Sequence, residues 1–260
     1  MSRTRPSLAV FKFTSCDGCQ LSLLNLEDAL LDLVTRFDVR LFPEATSRKA
    51  EGPFDLGLVE GSITTAADAE RIRRVRERCT TLVTIGACAS SGGIQWLREQ
   101  ADVDAWKAEI YADPARIEAL ATSTPISEHV KVDHELQGCP VSQDQLLRVL
   151  SRALLGAAPD LPKASVCMEC KRAGHVCVLV TRGIACMGPV TRAGCGALCP
   201  SLGRDCYACF GPTDDPNPAA LIAAFERAGL SRADSLRKLR HINGRRPAFR
   251  EFADRLEGES

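Results

Sequence analysis

Apolar and polar positions change period several times along this chain. Leu8–Thr14 (LAVFKFT) is an almost continuous apolar run of strand length. Cys19–Leu33 follows, with Leu21, Leu24, Leu30 and Leu33 at helical spacing. Phe37–Phe42 reads as a second strand, and Phe54–Val59 (FDLGLV) as a third that ends in Glu60-Gly61-Ser62. Ala66–Cys79 has the pattern of a charged amphipathic helix. Thr81–Ile85 predicts a fourth strand ended by Gly86, His129–Leu136 a fifth ended by Gly138, and Val141–Leu155 a further helix. Strands that alternate with helices predict an α/β fold, a parallel sheet covered on both faces. Five such strands fit a flavodoxin-like, doubly wound domain over residues 1–155.

The pattern changes after Gly156–Ser165, a stretch with linker composition. Residues 167–211 hold eight cysteines and seven glycines with little periodicity. So few large apolar residues predict an irregular domain, 156–211, that depends on metal or on a partner surface. Helical spacing returns in Leu221–Ala228, Ser231–Ile242 and Pro247–Leu256, which predicts a helical tail over 212–260.

Composition narrows the function classes. With 33 basic and 33 acidic residues among 260, the net charge is zero, which argues against a nucleic-acid binder. Residues 161–260 carry 15 Lys/Arg against 10 Asp/Glu, a surplus of five, and residues 1–160 the opposite surplus. Solvated faces account for such an imbalance, and so does the docking of an acidic partner on the C-terminal part. No apolar run approaches the roughly 18–20 residues that span a bilayer. The Ser7–Phe13 stretch is too short for a signal-peptide core, so a cytoplasmic protein is expected. In a reducing compartment its thirteen cysteines serve as metal ligands, catalytic thiols or apolar filler rather than disulfides.

Four of those cysteines follow predicted strands: Cys16 and Cys19 after the first, Cys88 after the fourth and Cys139 after the fifth. In an open parallel sheet these carboxyl ends share one edge, where ligands bind. Four thiolates can hold zinc or an iron–sulfur cluster. Zinc sites usually combine two short-spaced pairs, and only Cys16/Cys19 is such a pair, so the spacing favours a cluster without deciding it. The second region contributes Cys167, Cys170, Cys177 and Cys186, then Cys195, Cys199, Cys206 and Cys209. Its two C-x-x-C pairs also suit a zinc ribbon, and it does not follow the bacterial ferredoxin run. Three quartets use twelve cysteines and leave Cys79, at the end of an amphipathic helix, for packing.

Several stretches in this order carry a resemblance: T-S-C-D-G-C-Q-L at 14–21, V-E-G-S-I at 59–63, I-G-A-C-A at 85–89 and G-C-P at 138–140. V-C-M-E-C at 166–170, G-H-V-C at 174–177, C-M-G-P-V-T-R-A-G-C at 186–195, L-C-P at 198–200 and C-Y-A-C at 206–209 continue it. The chain resembles the small subunit of nickel–iron hydrogenases, and among these the delta subunit of cytoplasmic NADP-linked enzymes, the sulfhydrogenases. The resemblance implies three 4Fe–4S clusters: proximal on Cys16, Cys19, Cys88 and Cys139, distal on Cys167, Cys170, Cys177 and Cys186, and medial on Cys195, Cys206 and Cys209. Cys199 would complete the medial set. The periplasmic branch has a histidine where Cys167 stands, commonly a proline where Cys199 stands, and a twin-arginine signal not found here.

The function implied is electron transfer. Hydrogen would be split at a nickel–iron centre on a large partner subunit, whose ligands this chain lacks. The partners would be that subunit together with flavin/NAD(P)-binding and iron–sulfur electron-transfer subunits. A cluster subunit of a respiratory NADH:quinone oxidoreductase is an alternative, opposed by the eight-cysteine region and the lack of an adjacent Cys-Cys pair. A zinc-stabilised binding module is a third reading, of a different class. Glu60, at the third strand end, is either a carboxylate satisfied by loop N–H groups or an electrostatic or proton-handling group. His175 is a surface histidine or a donor to a cluster sulfur. His129 and His134 read as strand residues, and Trp96 with Gly92-Gly93 as packing and turn. No dinucleotide or Walker motif is present.

Overall fold

The computed structural model describes residues 5–258. By packing, the chain divides into two units, Met1–Asp160 and Leu161–Ser260. In the first, β1 (Ser7–Lys12), β2 (Asp38–Leu41), β3 (Phe54–Glu60), β4 (Cys79–Ile85) and β5 (His134–Leu136) form one sheet in the order β2-β1-β3-β4-β5. Every neighbouring pair is parallel. This is the flavodoxin-like, doubly wound arrangement, and it places every strand's carboxyl end on one edge. Leu8, Ala9, Val10, Leu56, Leu58, Val59, Leu82, Val83 and Ile85 are buried, as strands covered on both faces require.

Helices α1 (Gly18–Leu24), α2 (Asp28–Arg36), α3 (Ala66–Arg78), α4 (Gly86–Ser91), α5 (Val103–Ile110) and α6 (Gln143–Leu154) complete this unit. The α3 start is local chemistry: Thr65 Oγ1 accepts the Asp68 N–H at 3.1 Å, and Ile72 and Val75 face the sheet. The α6 stripe of Leu146, Val149 and Leu150 is buried in the same way.

Two elements differ from the sequence pattern. The single helix expected over Cys19–Leu33 is two helices, because Glu27 takes φ 52°, in which an α-helix cannot continue. The apolar phase resets there, so Leu23, Leu26 and Leu33 are buried while Leu21 and Leu31 are exposed. The fifth strand is shorter than His129–Leu136. Residues Ile126–Glu128 form a 3₁₀ turn, and His129 Nε2 is hydrogen-bonded to Thr124 Oγ1 at 2.7 Å.

The second unit is built from short pieces: α7 (Val166–Arg172), α8 (Val178–Arg182), α9 (Leu198–Ser201), α10 (Pro218–Arg227), α11 (Arg232–Leu239) and α12 (Pro247–Gly258). Leu221, Ile222, Phe225, Leu239, Phe249 and Ala253 of the last three helices share one core with Val166, Val178, Met187 and Val190. The cysteine-rich segment therefore has apolar partners within its own chain. Among the described residues no helix is long and apolar enough to cross a membrane.

Candidate metal centres

The sheet brings four of the five cysteines of the first unit to one edge. Cys16 and Cys19 lie where β1 passes into α1, turned by Asp17 at φ 65°. Cys88 lies in α4 directly after β4, and Cys139 follows β5. The Ala87 N–H donates to the Gly138 carbonyl at 2.7 Å, which ties the Cys88 helix to the Cys139 loop. Gly86 is needed for this approach: it has φ 89°, and a Cβ there would stand 2.4 Å from Cys19 Sγ.

Burial is the main cause that raises the pKa values of Cys19, Cys88 and Cys139, and each also feels its neighbours. Cys88 is pushed up to about 11 by burial, then by Cys139, Cys16 and Glu60. Although Cys139 as a residue is exposed, its thiol is partly desolvated, which raises it, as do Cys16 and Glu60. Cys19 is raised by burial and by Glu60. Cys19, Cys88 and Cys139 hold their protons until a cationic group offsets the repulsion. Hydrogen-bond donors already face the sulfurs. Gln95 Nε2 lies 3.4 Å from Cys88 Sγ while donating to the Thr14 carbonyl at 3.1 Å, and the Val141 N–H faces Cys19.

Glu60 is 2% exposed beneath this edge. It accepts the Cys19 N–H at 2.9 Å and, on its other oxygen, the Gln20 N–H at 3.3 Å and Gln20 Nε2 at 2.9 Å. Burial nevertheless leaves its carboxyl above the ordinary carboxylate range. Cys79 is elsewhere: it is buried in the apolar face of the sheet with Ile72, Val75 and Leu82. Trp96 is buried and His134 belongs to β5.

In the second unit Cys167 and Cys170 share one side of α7, and Cys177 caps α8. With Cys186, Lys171 and His175 they line a cavity of about 80 Å³. Cys170 is pushed up to about 11 by burial and by Cys167, Cys186 and Cys177. His175 faces this cavity, and its own N–H donates to the Cys170 carbonyl at 2.9 Å. Cys195 lies within electrostatic reach of Cys199, and Cys206 within reach of Cys209 and Cys186.

Backbone N–H groups are turned onto the second group of sulfurs. Ala197 and Ala208 each stand two residues after a cysteine, at φ 54° and 58°. Their N–H groups donate to Cys195 and Cys206 respectively. Left-handed alanines are costly, and here the turn that demands them aims a donor at sulfur. Such bonds stabilise thiolate and set the potential of an iron–sulfur site. Gln95 and Glu169 were not legible as site residues. Glu169 lies between Cys167 and Cys170, yet it accepts the Gly194 N–H at 2.9 Å and approaches Cys195 Sγ at 4.0 Å. Among the described residues no three Cys, His, Asp or Glu side chains close on a point that could hold one metal ion.

Residues 16–153 match the family described as NADH ubiquinone oxidoreductase, 20 Kd subunit. The chain is 36% identical over 233 residues to the sulfhydrogenase 2 subunit delta of Pyrococcus furiosus, covering 90% of this chain and 97% of that one. It is similar to a chain in the crystal structure of an NAD+-reducing [NiFe]-hydrogenase, with 27% identity and a TM-score of 0.56. That match covers 61% of this chain and 96% of the other. The fold is also that of a chain of the [NiFeSe] hydrogenase from Desulfovibrio vulgaris Hildenborough, at a TM-score of 0.53, 17% identity, and 83% and 96% coverage. Iron–sulfur binding, electron transfer and a large partner subunit belong to such hydrogenase subunits. By sequence and by fold, this chain belongs to the 20 Kd oxidoreductase subunit family and, within it, to the small or delta subunits of nickel–iron hydrogenases.

Proposed function

We propose that this chain relays electrons through three 4Fe–4S clusters, between the nickel–iron site of a large subunit and a flavin-bearing, NAD(P)-reducing partner in the cytoplasm. The clusters would be held by Cys16, Cys19, Cys88 and Cys139; by Cys167, Cys170, Cys177 and Cys186; and by Cys195, Cys199, Cys206 and Cys209. When bound, such clusters supply one-electron storage and transfer at potentials set by charge, hydrogen bonds and exposure. The chain's part is to supply thiolates, aim N–H donors at sulfur and keep water away.

The observation that carries this reading is the division of the thirteen cysteines. Twelve stand at the sheet edge or in the short helices and loops of the second unit, and Cys79 alone packs in the apolar face of the sheet. Exposed Cys16 and Cys139, with exposed Leu21 on α1, support a covering large subunit at the sheet edge. On α7 and α8 and the turn between them, Lys171, Arg172 and Arg182 have no carboxylate partner among the described residues, and Val176 and Val180 are exposed. That combination supports an acidic electron-transfer partner there. The respiratory reading is less well supported, because the family match ends at residue 153, before the eight cysteines.

The test is metal analysis of the anaerobically purified complex, corrected for iron in its other subunits. Three quartets require about twelve iron atoms in this chain, four per cluster. About eight iron atoms, or stoichiometric zinc, would remove one assigned quartet.

A further inference from the structure

Two residues assigned above to different quartets are joined directly. The Cys206 N–H donates to Cys186 Sγ at 3.3 Å, and the Met187 N–H donates to the Cys206 carbonyl at 3.1 Å. Both cysteines are buried. This is a short, desolvated, hydrogen-bonded path from one ligand set to the other.

The loop that carries Cys206 is held from outside the cysteine-rich segment. On one side of Cys206, Asp205 is 9% exposed and forms an ion pair with Lys238 of α11. Lys238 Nζ also stands 5.4 Å from the centre of the Tyr207 ring. On the other side, Asn243 is 1% exposed, and its Nδ2 donates to the Ala208 carbonyl at 2.7 Å. The residues that flank Cys206 are thus tied to two points of the C-terminal helical region, 33 and 35 positions further along the chain. A buried carboxylate keeps its place only when it is paired, so Lys238 is what allows Asp205 to sit beside two candidate ligands.

We propose that Lys238 and Asn243 are positioning residues: they hold the Cys206 N–H on Cys186 Sγ, and this hydrogen bond is the electron crossing between the two clusters of the second unit. One electron crosses, with no bond made or broken and no proton transferred. The proposal rests on the cluster assignment above. It adds a task for the C-terminal helices, which contribute no ligand and yet set the contact between ligands.

The test uses the whole complex, purified anaerobically, with iron analysis and potentiometric titration followed by electron paramagnetic resonance. Lys238→Met should keep the full iron content and lower the potential of the cluster bound by Cys186, because an N–H donor to its sulfur is displaced. Lys238→Arg should restore it. The double substitution D205N/K238M removes both charges and so separates charge from position. Under the proposal the Cys186 cluster stays low in the double variant, and electron transfer between the two clusters stays slower than in the parent. Recovery of the parent potentials there would show that the pair acts by charge alone and would overturn the positioning role. If Lys238→Met loses a cluster, Asn243→Ala, which alters no charge, decides by the same titration. Unmoved potentials in it, or loss of the cluster in both variants, would sink the proposal. Absence of iron from the parent chain would be a failure of the cluster assignment instead.

Discussion

Glu60 accepts the backbone N–H of Cys19 at 2.9 Å, so a buried carboxylate directly underlies a loop that carries two candidate ligands. The carboxylate and the thiols oppose one another electrostatically: Glu60 raises Cys19, Cys88 and Cys139. Its own three accepted hydrogen bonds hold it there.

Replacing Glu60 by Gln should keep the fold and raise the potential of the cluster at this edge. Loss of one negative charge in a buried site is worth on the order of 1 kcal/mol, or about 40 mV for one electron. Burial raises the Glu60 carboxyl above its ordinary value. Its contribution to stability is therefore complete below the ordinary carboxylate range and declines as pH rises through the raised value. Glu60→Gln should flatten that decline. Denaturation midpoints across the acid-to-neutral range, together with a redox titration, measure both effects.

Gln95 makes a complementary case, because it places a donor 3.4 Å from Cys88 Sγ. Gln95→Leu should retain iron and lower the same cluster's potential. A hydrogen bond worth about 0.5–1.5 kcal/mol corresponds to roughly 20–60 mV for one electron. An unchanged potential would show that the Gln95 amide serves the Thr14 carbonyl alone.

Under the proposed assignment, Cys199 separates a four-iron from a three-iron site in the set with Cys195, Cys206 and Cys209. Cys199→Ala should leave Cys195, Cys206 and Cys209 in place and release one iron on oxidation. Iron should then fall by about one atom in twelve, counted at four per cluster. A new near-isotropic paramagnetic signal in the oxidised state should accompany the loss. Full iron with no new signal would mean that Cys199 is not a ligand.

Cys79 tests the remaining assignment. A Cβ on Gly57 would stand 2.5 Å from Cys79 Sγ, so Gly57→Ala overpacks the sheet at a cost of about 1–3 kcal/mol. The same change should cost less in a Cys79→Ala background, and iron content should stay constant throughout. Burial pushes the Cys79 thiol up to about 11 from 9.0. The parent should therefore lose stability relative to Cys79→Ala as pH rises from 9.0 towards 11, since the unfolded thiol ionises first. Chemical denaturation at three alkaline pH values checks the sign.

Much of this protein was legible from its sequence because the relevant physics is local. The apolar runs of β1, β3 and β4 specify buried strands whatever surrounds them. Thr65, three residues before Asp68, starts α3 with its own side chain. The cysteines at strand ends pointed to the sheet edge, because parallel connectivity leaves no other place for them.

Other features depend on which distant segments meet, and only the tertiary structure decided them. The leucines of Cys19–Leu33 looked like one helical face, but Glu27 at φ 52° splits the helix and exposes Leu21 and Leu31. The cysteine-rich segment looked unable to build a core, because Leu221, Phe225 and Phe249 come from helices whose packing partners no periodicity names. The donors aimed at Cys195 and Cys206 arise from left-handed φ at two alanines, a conformation that an alanine never advertises. Residue types and short spacings thus determined strands β1, β3 and β4 and the candidate ligands. The environment of each sulfur was settled by long-range contacts, since burial and hydrogen-bond direction are properties of the folded neighbourhood rather than of the neighbouring residues in the chain.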